Sequence, residues 1–114
     1  ARKIMAIDID DDAVKVSMDN LKHIPGIEFK ANNLLDGIDE KFDIIIANIV
    51  ADVIVRLSDY LEKNLVPDGT LLVSGIIDYK WPAVLEKLLS SHMMLEHKIE
   101  EDGWVTAGFI KEQR

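Results

Sequence analysis

Three apolar runs in this chain end in groups able to do chemistry. Ile4-Met5-Ala6-Ile7 runs into Asp8-Ile9-Asp10, Ile44-Ile45-Ile46-Ala47 into Asn48, and Leu71-Leu72-Val73 into Ser74-Gly75. A carboxylate accepts hydrogen bonds, an amide both donates and accepts, and a hydroxyl does either. If the runs are buried parallel strands, these groups converge at one rim of a sheet. In open α/β sheets that rim, at the carboxyl ends of the strands, is where ligands bind. Asn48 is the first residue to suspect of function, and from position alone a cap on the following helix is an equally good account of it.

The elements needed to position these groups are readable from patterning. The apolar residues after Asp43 are too few to cross a membrane and suit a strand buried on both faces, expected near the middle of its sheet. After the first strand, Asp11 or Asp12 can cap a helix whose Val14, Met18 and Leu21 share one face. Pro25-Gly26 ends it, and Ile27-Glu28-Phe29-Lys30 is a short alternating strand at or near an edge. Asn32, Asn33, Asp36, Gly37 and Asp39 mark a loop. After Asn48, the stripe Val50, Val53, Ile54, Leu57 and Leu61 predicts a helix, and Pro67-Asp68-Gly69 a turn into the Leu71 strand. Trp81, Val84, Leu85, Leu88 and Leu89 predict another helix, with Pro82 tolerated in its first turn. Met93–Glu100 and Trp104–Ile110, joined through Glu101-Asp102-Gly103, predict an antiparallel hairpin. Strands alternating with helices make a parallel sheet covered on both faces.

With 114 residues, 48% apolar and 30% charged, the chain is expected to form one small soluble domain over residues 1–114. The absence of cysteine excludes disulfides and thiolate metal sites, and no metal site is expected. A net charge of -8 disfavours direct binding to nucleic acid or anionic membrane and favours a cationic partner. Without a signal peptide or membrane-length run, the default location is cytoplasmic. The chain opens Ala1-Arg2-Lys3 and is in an apolar run by Ile4, as expected of a chain cut inside a larger protein.

Three classes of function compete for the rim. A haloacid-dehalogenase-like phosphatase would use Asp8 and Asp10, but it would carry Thr where Asp12 stands, and a late lysine and acidic pair that are not found. A receiver-like phosphoryl domain would match Asp10-Asp11-Asp12 and Ser74, but its acceptor position holds Asn48, which cannot form an acyl phosphate. The third class is methyl transfer, and beside all three stands the bland alternative of a non-catalytic α/β interaction domain. Asp8-Ile9-Asp10, Ala47-Asn48-Ile49-Val50-Ala51-Asp52, Leu72-Val73-Ser74-Gly75-Ile76-Ile77 and Asp102-Gly103-Trp104-Val105 occur in order. Together they resemble the C-terminal half of bacterial ribosomal protein L-eleven methyltransferases (PrmA-type), over essentially the whole chain.

That resemblance implies a Rossmann-like class I methyltransferase sheet with a C-terminal antiparallel hairpin. It implies S-adenosyl-L-methionine as cofactor and, as substrate, lysine and N-terminal amines of ribosomal protein L-eleven. Asp8 would hold the ribose hydroxyls, for which a carboxylate is the natural bidentate acceptor. Asn48 would lie beside the methionine part of the cofactor and the incoming amine. Trp104 would wall the acceptor site or belong to the core. His23, His92 and His97 fall away from the rim and are not expected to act as bases. Members of the family begin this domain with a strand, a Gly-x-Gly-x-Gly turn and a helix, which this chain lacks. The missing strand would lie between the Asp8 and Asn48 strands. The expectations are therefore a partial domain, inactive alone and binding cofactor poorly, and a possible homodimer through unpaired strand edges.

Overall fold

The computed structural model describes residues 3–8, 27–31, 39–48 and 50–112, with Asp8 and residues 27–31 described by their backbone. The expected helix bearing Val14, Met18 and Leu21, its caps, Asp10, His23 and the loop around Asn33 lie outside the described residues. The strands are β1 (Ile4–Asp8), β2 (Ile27–Ala31), β3 (Phe42–Asn48), β4 (Leu65–Ile77), β5 (Met93–Glu101) and β6 (Trp104–Lys111). They form one mixed sheet in the order β2-β1-β3-β4-β6-β5. The first four are parallel to their neighbours, and the β5–β6 hairpin joins β4 antiparallel through β6. β3 is thus internal, and β2 stands at an edge, as their patterns require.

One expectation fails. β1 and β3 are not separated by a gap: they pair directly, Ile4 with Ile44 through Asp8 with Asn48, and the Asp43 N–H extends the contact to the Lys3 carbonyl at 2.9 Å. Two neighbouring strands of buried type satisfy each other's backbone groups, because unpaired N–H and C=O groups at the centre of a sheet are costly. These two strand edges, expected to be unpaired, pair with each other. The strands at the two ends of the sheet are β2 and β5.

Alternation along each strand builds the core. Met5 and Ile7 of β1, Ile45 and Ala47 of β3, Leu71 and Val73 of β4, and Val105, Ala107 and Phe109 of β6 are all buried on one face. Against them pack α1 (Ala51–Leu57), a 3-10 turn (Ser58–Tyr60), α2 (Leu61–Asn64) and α3 (Trp81–Ser90). Ile54, Leu57 and Leu61 are fully buried, as are Val84 and Leu88 to within 1%. Each such side chain contributes about 1.5–3 kcal/mol by leaving water. Trp81 closes the layer, its ring 6.1 Å from that of Phe109 and tilted by 42°. Two members of the expected helical stripes miss the core. Val50 is 47% exposed because it is the N-cap of α1 rather than part of it, and Leu89 is 49% exposed at the edge of the α3 face. Among the described residues no helix is long and apolar enough to cross a membrane.

The turn at Pro67-Asp68-Gly69 sits inside β4. Phe42 pairs with Leu65 and Ile44 with Thr70, so residues 66–69 loop out opposite Asp43. Asp68 takes a left-handed φ of 65°. At Gly69 an added Cβ would lie 2.7 Å from both the Leu65 Cδ1 and the Val66 carbonyl oxygen. The carbonyl cannot rotate away without breaking the turn. Gly69→Ala is expected to lower the unfolding free energy by about 1–3 kcal/mol, the usual cost of overpacking. Urea denaturation checks this, and an unchanged midpoint would contradict the crowding argument.

At the amino ends of the strands, Lys111 closes the core. It is 4% exposed, and its Nζ donates to the carbonyls of Leu61 at 3.1 Å, Glu62 at 3.0 Å and Leu65 at 2.6 Å. Lys41 adds a donor to the carbonyls of Glu62 at 3.3 Å and Lys63 at 3.0 Å. The last carbonyls of a helix lack intrahelical partners and carry partial negative charge, so two ammonium groups are suited to the end of α2.

Candidate functional site

The three polar strand exits meet. Asp8 pairs in register with Asn48, and Asn48 with Ser74, so the last residues of three adjacent parallel strands form one row. Neighbouring strands lie about 4.8 Å apart, which puts Asp8 and Ser74 on either side of Asn48, about 10 Å from each other. The Ser74 hydroxyl donates to Asn48 Oδ1 at 3.1 Å. The N-cap of α1 is Val50, which makes no side-chain cap, and its carbonyl accepts from the N–H groups of Val53 and Ile54. Asn48 itself is exposed at the rim, and its amide oxygen is engaged by Ser74. The capping account of Asn48 therefore does not hold.

Local sequence explains why Ser74 is available. Val73 pairs with Ala107 and Ile76 with Val105, so Ser74 and Gly75 oppose the single residue Thr106 in a bulge. Gly75 carries a φ of 82°, a left-handed conformation that favours glycine. Beyond the bulge the rim is tied to the hairpin turn: the Asp78 N–H donates to the Gly103 carbonyl at 2.8 Å. Asp102 and Gly103 both have positive φ, at 51° and 82°, as the Asp-Gly hairpin signal requires. Trp104 pairs with Ile77 just behind this turn and is 52% exposed, which excludes the core role for it. The pairing puts it at the same end of the sheet as Asn48.

The histidines in the described part do not join the row. His92 follows α3, at the start of β5 and the other end of the sheet, with its Nδ1 3.8 Å from the Glu112 carboxylate. His97 is exposed along β5. Among the described residues no group of three or more His, Asp or Glu side chains is placed to hold a metal ion. The row offers a carboxylate, an amide and a hydroxyl at the carboxyl ends of parallel strands, a donor set that fits a polar organic cofactor with a diol and an amino-acid moiety.

The family model for Ribosomal protein L11 methyltransferase (PrmA) matches residues 1–112. The chain belongs to this family. A ribosomal protein L11 methyltransferase of Dictyoglomus turgidum is 37% identical over 106 residues, covering 91% of this chain and 35% of that protein. The chain spans about a third of the length of the curated PrmA relatives it matches. The crystal structure of a ribosomal protein L11 methylase from Lactobacillus delbrueckii subsp. bulgaricus superposes with a TM-score of 0.79 at 27% identity, over 99% of this chain and 60% of that one. An RNA methyltransferase from Salinibacter ruber, solved with S-adenosyl-L-homocysteine, shares the fold at a TM-score of 0.59 and 16% identity, over 98% of this chain and 67% of that one. Membership of the PrmA family, together with an amide where a receiver needs its acceptor aspartate, turns the reading away from phosphoryl chemistry and from a purely structural module.

The row was missed in one respect. Ser74 was readable as a polar strand exit, but its bond to Asn48 depends on the β3–β4 register, and the serine-glycine pair was the signal of the bulge that releases it.

Proposed function

We propose that the full-length protein is an S-adenosyl-L-methionine-dependent methyltransferase that modifies lysine and N-terminal amines of ribosomal protein L11 in the cytoplasm. The observation that carries this reading is the bonded pair Asn48 and Ser74 at the carboxyl ends of two adjacent parallel strands, with Asp8 ending a third strand at the same rim. Family membership supplies the reaction class.

When bound, the cofactor supplies an electrophilic methyl group on a sulfonium. The Asp8 carboxylate would accept hydrogen bonds from the ribose hydroxyls and so hold one end of the cofactor. Forty residues on in the chain, the Asn48 amide would contact the methionine part and line the path of the incoming amine. The amine must arrive neutral, and loss of water at the rim favours its neutral form. Displacement at a methyl carbon needs the attacking nitrogen in line with the departing sulfur, so positioning supplies most of the catalysis. The acidic character of the chain, at -8, suits a lysine-rich substrate through long-range attraction.

The test is incubation of the full-length protein with recombinant ribosomal protein L11 and methyl-labelled S-adenosyl-L-methionine. Mass spectrometry is expected to show added methyl groups on lysine side chains and the N-terminal amine. Absence of label in L11, under conditions in which an authentic PrmA enzyme labels it, would refute the proposal.

A further inference from the structure

We propose that β5 is a self-association surface, pairing antiparallel with β5 of a second copy of this chain about a two-fold axis at Ile99. The proposal does not depend on the methyl-transfer reading.

β5 is an end strand of the sheet: one of its edges pairs with β6, and among the described residues no strand pairs with the other. Every residue from Met94 to Glu101 is exposed. An open edge of this kind presents N–H and C=O groups that another strand can take up. A bulge at Glu96 interrupts the ladder, since Leu95 opposes Phe109 and His97 opposes its neighbour Gly108, and the hairpin turn ends the strand after Glu101. The regular part that remains is His97-Lys98-Ile99-Glu100-Glu101. It carries an imidazole and an ammonium group on one side of Ile99 and two carboxylates on the other, so it is complementary to its own reverse.

Symmetry restricts the register. In an isologous antiparallel pair the residue on the axis stands opposite itself. Centring on Lys98 would set two ammonium groups together, and centring on Glu100 two carboxylates, both destabilising. Centring on His97 draws in the bulge, and centring on Glu101 draws in the turn. Ile99 alone gives a favourable set. Around it Ile99 meets its own copy, Lys98 meets Glu100 of the second copy, and His97 meets Glu101 of the second copy. The last two contacts each occur twice. Opposite charges directly across a strand pair stabilise it, and an imidazole N–H donates to a carboxylate.

The faces agree with this register. Lys98 and Glu100 oppose the buried residues Ala107 and Val105, so both lie on the face covered by α3, where the Lys98 Nζ stands 5.6 Å from the centroid of the Trp81 ring. His97, Ile99 and Glu101 oppose Gly108, Thr106 and Trp104 on the other face. Residues set opposite each other in the two copies therefore share a face, as one continuous sheet requires. Ile99, 47% exposed in the single chain, loses water against its own copy. The net charge of -8 on each chain opposes the approach at long range, so the dimer is weak and depends on concentration.

The test is sedimentation equilibrium of the full-length protein beside its Lys98→Glu, Lys98→Glu/Glu100→Lys and Ile99→Asp variants, with thermal melts to confirm that each is folded. The mass of the parent is expected to climb from monomer towards dimer as concentration rises. Lys98→Glu turns two attractive contacts into repulsive ones and weakens the dimer at least about tenfold. The Lys98→Glu/Glu100→Lys exchange restores the contacts in reversed order and returns the affinity to within about threefold of the parent. Loss of the Trp81 contact cannot mimic this pattern, because both variants lack the Lys98 ammonium. Ile99→Asp sets two carboxylates together on the axis and abolishes the dimer. A parent that stays monomeric up to about 1 mM overturns the proposal. So does a dimer that ignores Lys98→Glu or Ile99→Asp, or one that the charge exchange fails to restore.

Discussion

Replacing Asn48 by alanine in the full-length protein is expected to lower kcat/KM for methylation of ribosomal protein L11 by about a hundredfold or more, the scale seen when a preorganised polar group is removed from a reacting centre. The side chain is exposed at the end of β3, so its truncation opens no cavity in the core. Its backbone partners in β1 and β4 remain in place, since the ladder uses main-chain groups alone. The loss should therefore appear in turnover and not in thermal stability. Steady-state kinetics beside a melting curve separates the two. A variant with full activity would remove Asn48 from the site, and one that fails to fold would show that its role is structural.

The second large effect concerns stability. Lys111→Met keeps most of the aliphatic stem but removes the donor to three carbonyl oxygens at the end of α2. The site is buried, so water cannot readily replace the ammonium group. Leaving buried acceptors unsatisfied costs about 1–3 kcal/mol each, and with partial relaxation a total loss of about 3 kcal/mol is expected. Urea denaturation of the parent and variant measures it. The same contacts tie the last residue of β6 to α2 and to the start of β4, so loosening at Lys111 should be felt as global unfolding. A loss below about 0.5 kcal/mol, the range of ordinary surface substitutions, would contradict this account.

Much of this was legible in the sequence because it depends on local pattern. The run Ile44–Ala47 announces a buried internal strand, Asp102-Gly103 a tight hairpin, and Pro67-Asp68-Gly69 a turn, each through the conformations those residues prefer. The polar exits Asp8, Asn48 and Ser74 were visible for the same reason. What local pattern cannot carry is pairing between distant strands. The direct β1–β3 contact joins segments about forty residues apart, and nothing in either strand names its neighbour. Periodicity also overstates a packing face: Leu89 falls on the α3 stripe yet lies outside the contact, and Val50 precedes its helix. Lys111 lies one residue past the strand Trp104–Ile110 read from the sequence, which says nothing of its partners. Only the fold brings the carbonyls of Leu61, Glu62 and Leu65 to it. Trp104 was ambiguous between wall and core, and its exposure excludes the core.

The polar row and the Lys111 contacts lie at opposite ends of the sheet. The end toward Asn48 carries polar residues in register, with the Asn48 side chain exposed, and the end toward Lys111 is sealed by hydrogen bonds to a helix terminus.

The central claim is that the row beginning at Asp8 holds S-adenosyl-L-methionine, and calorimetric titration of that cofactor into the full-length protein and its Asp8→Ala variant tests it most directly. A carboxylate accepting from two hydroxyls makes charge-assisted bonds worth about 1.5–3 kcal/mol, so the variant should bind at least about tenfold more weakly. Equal affinity in the two proteins, with both folded, would contradict the account.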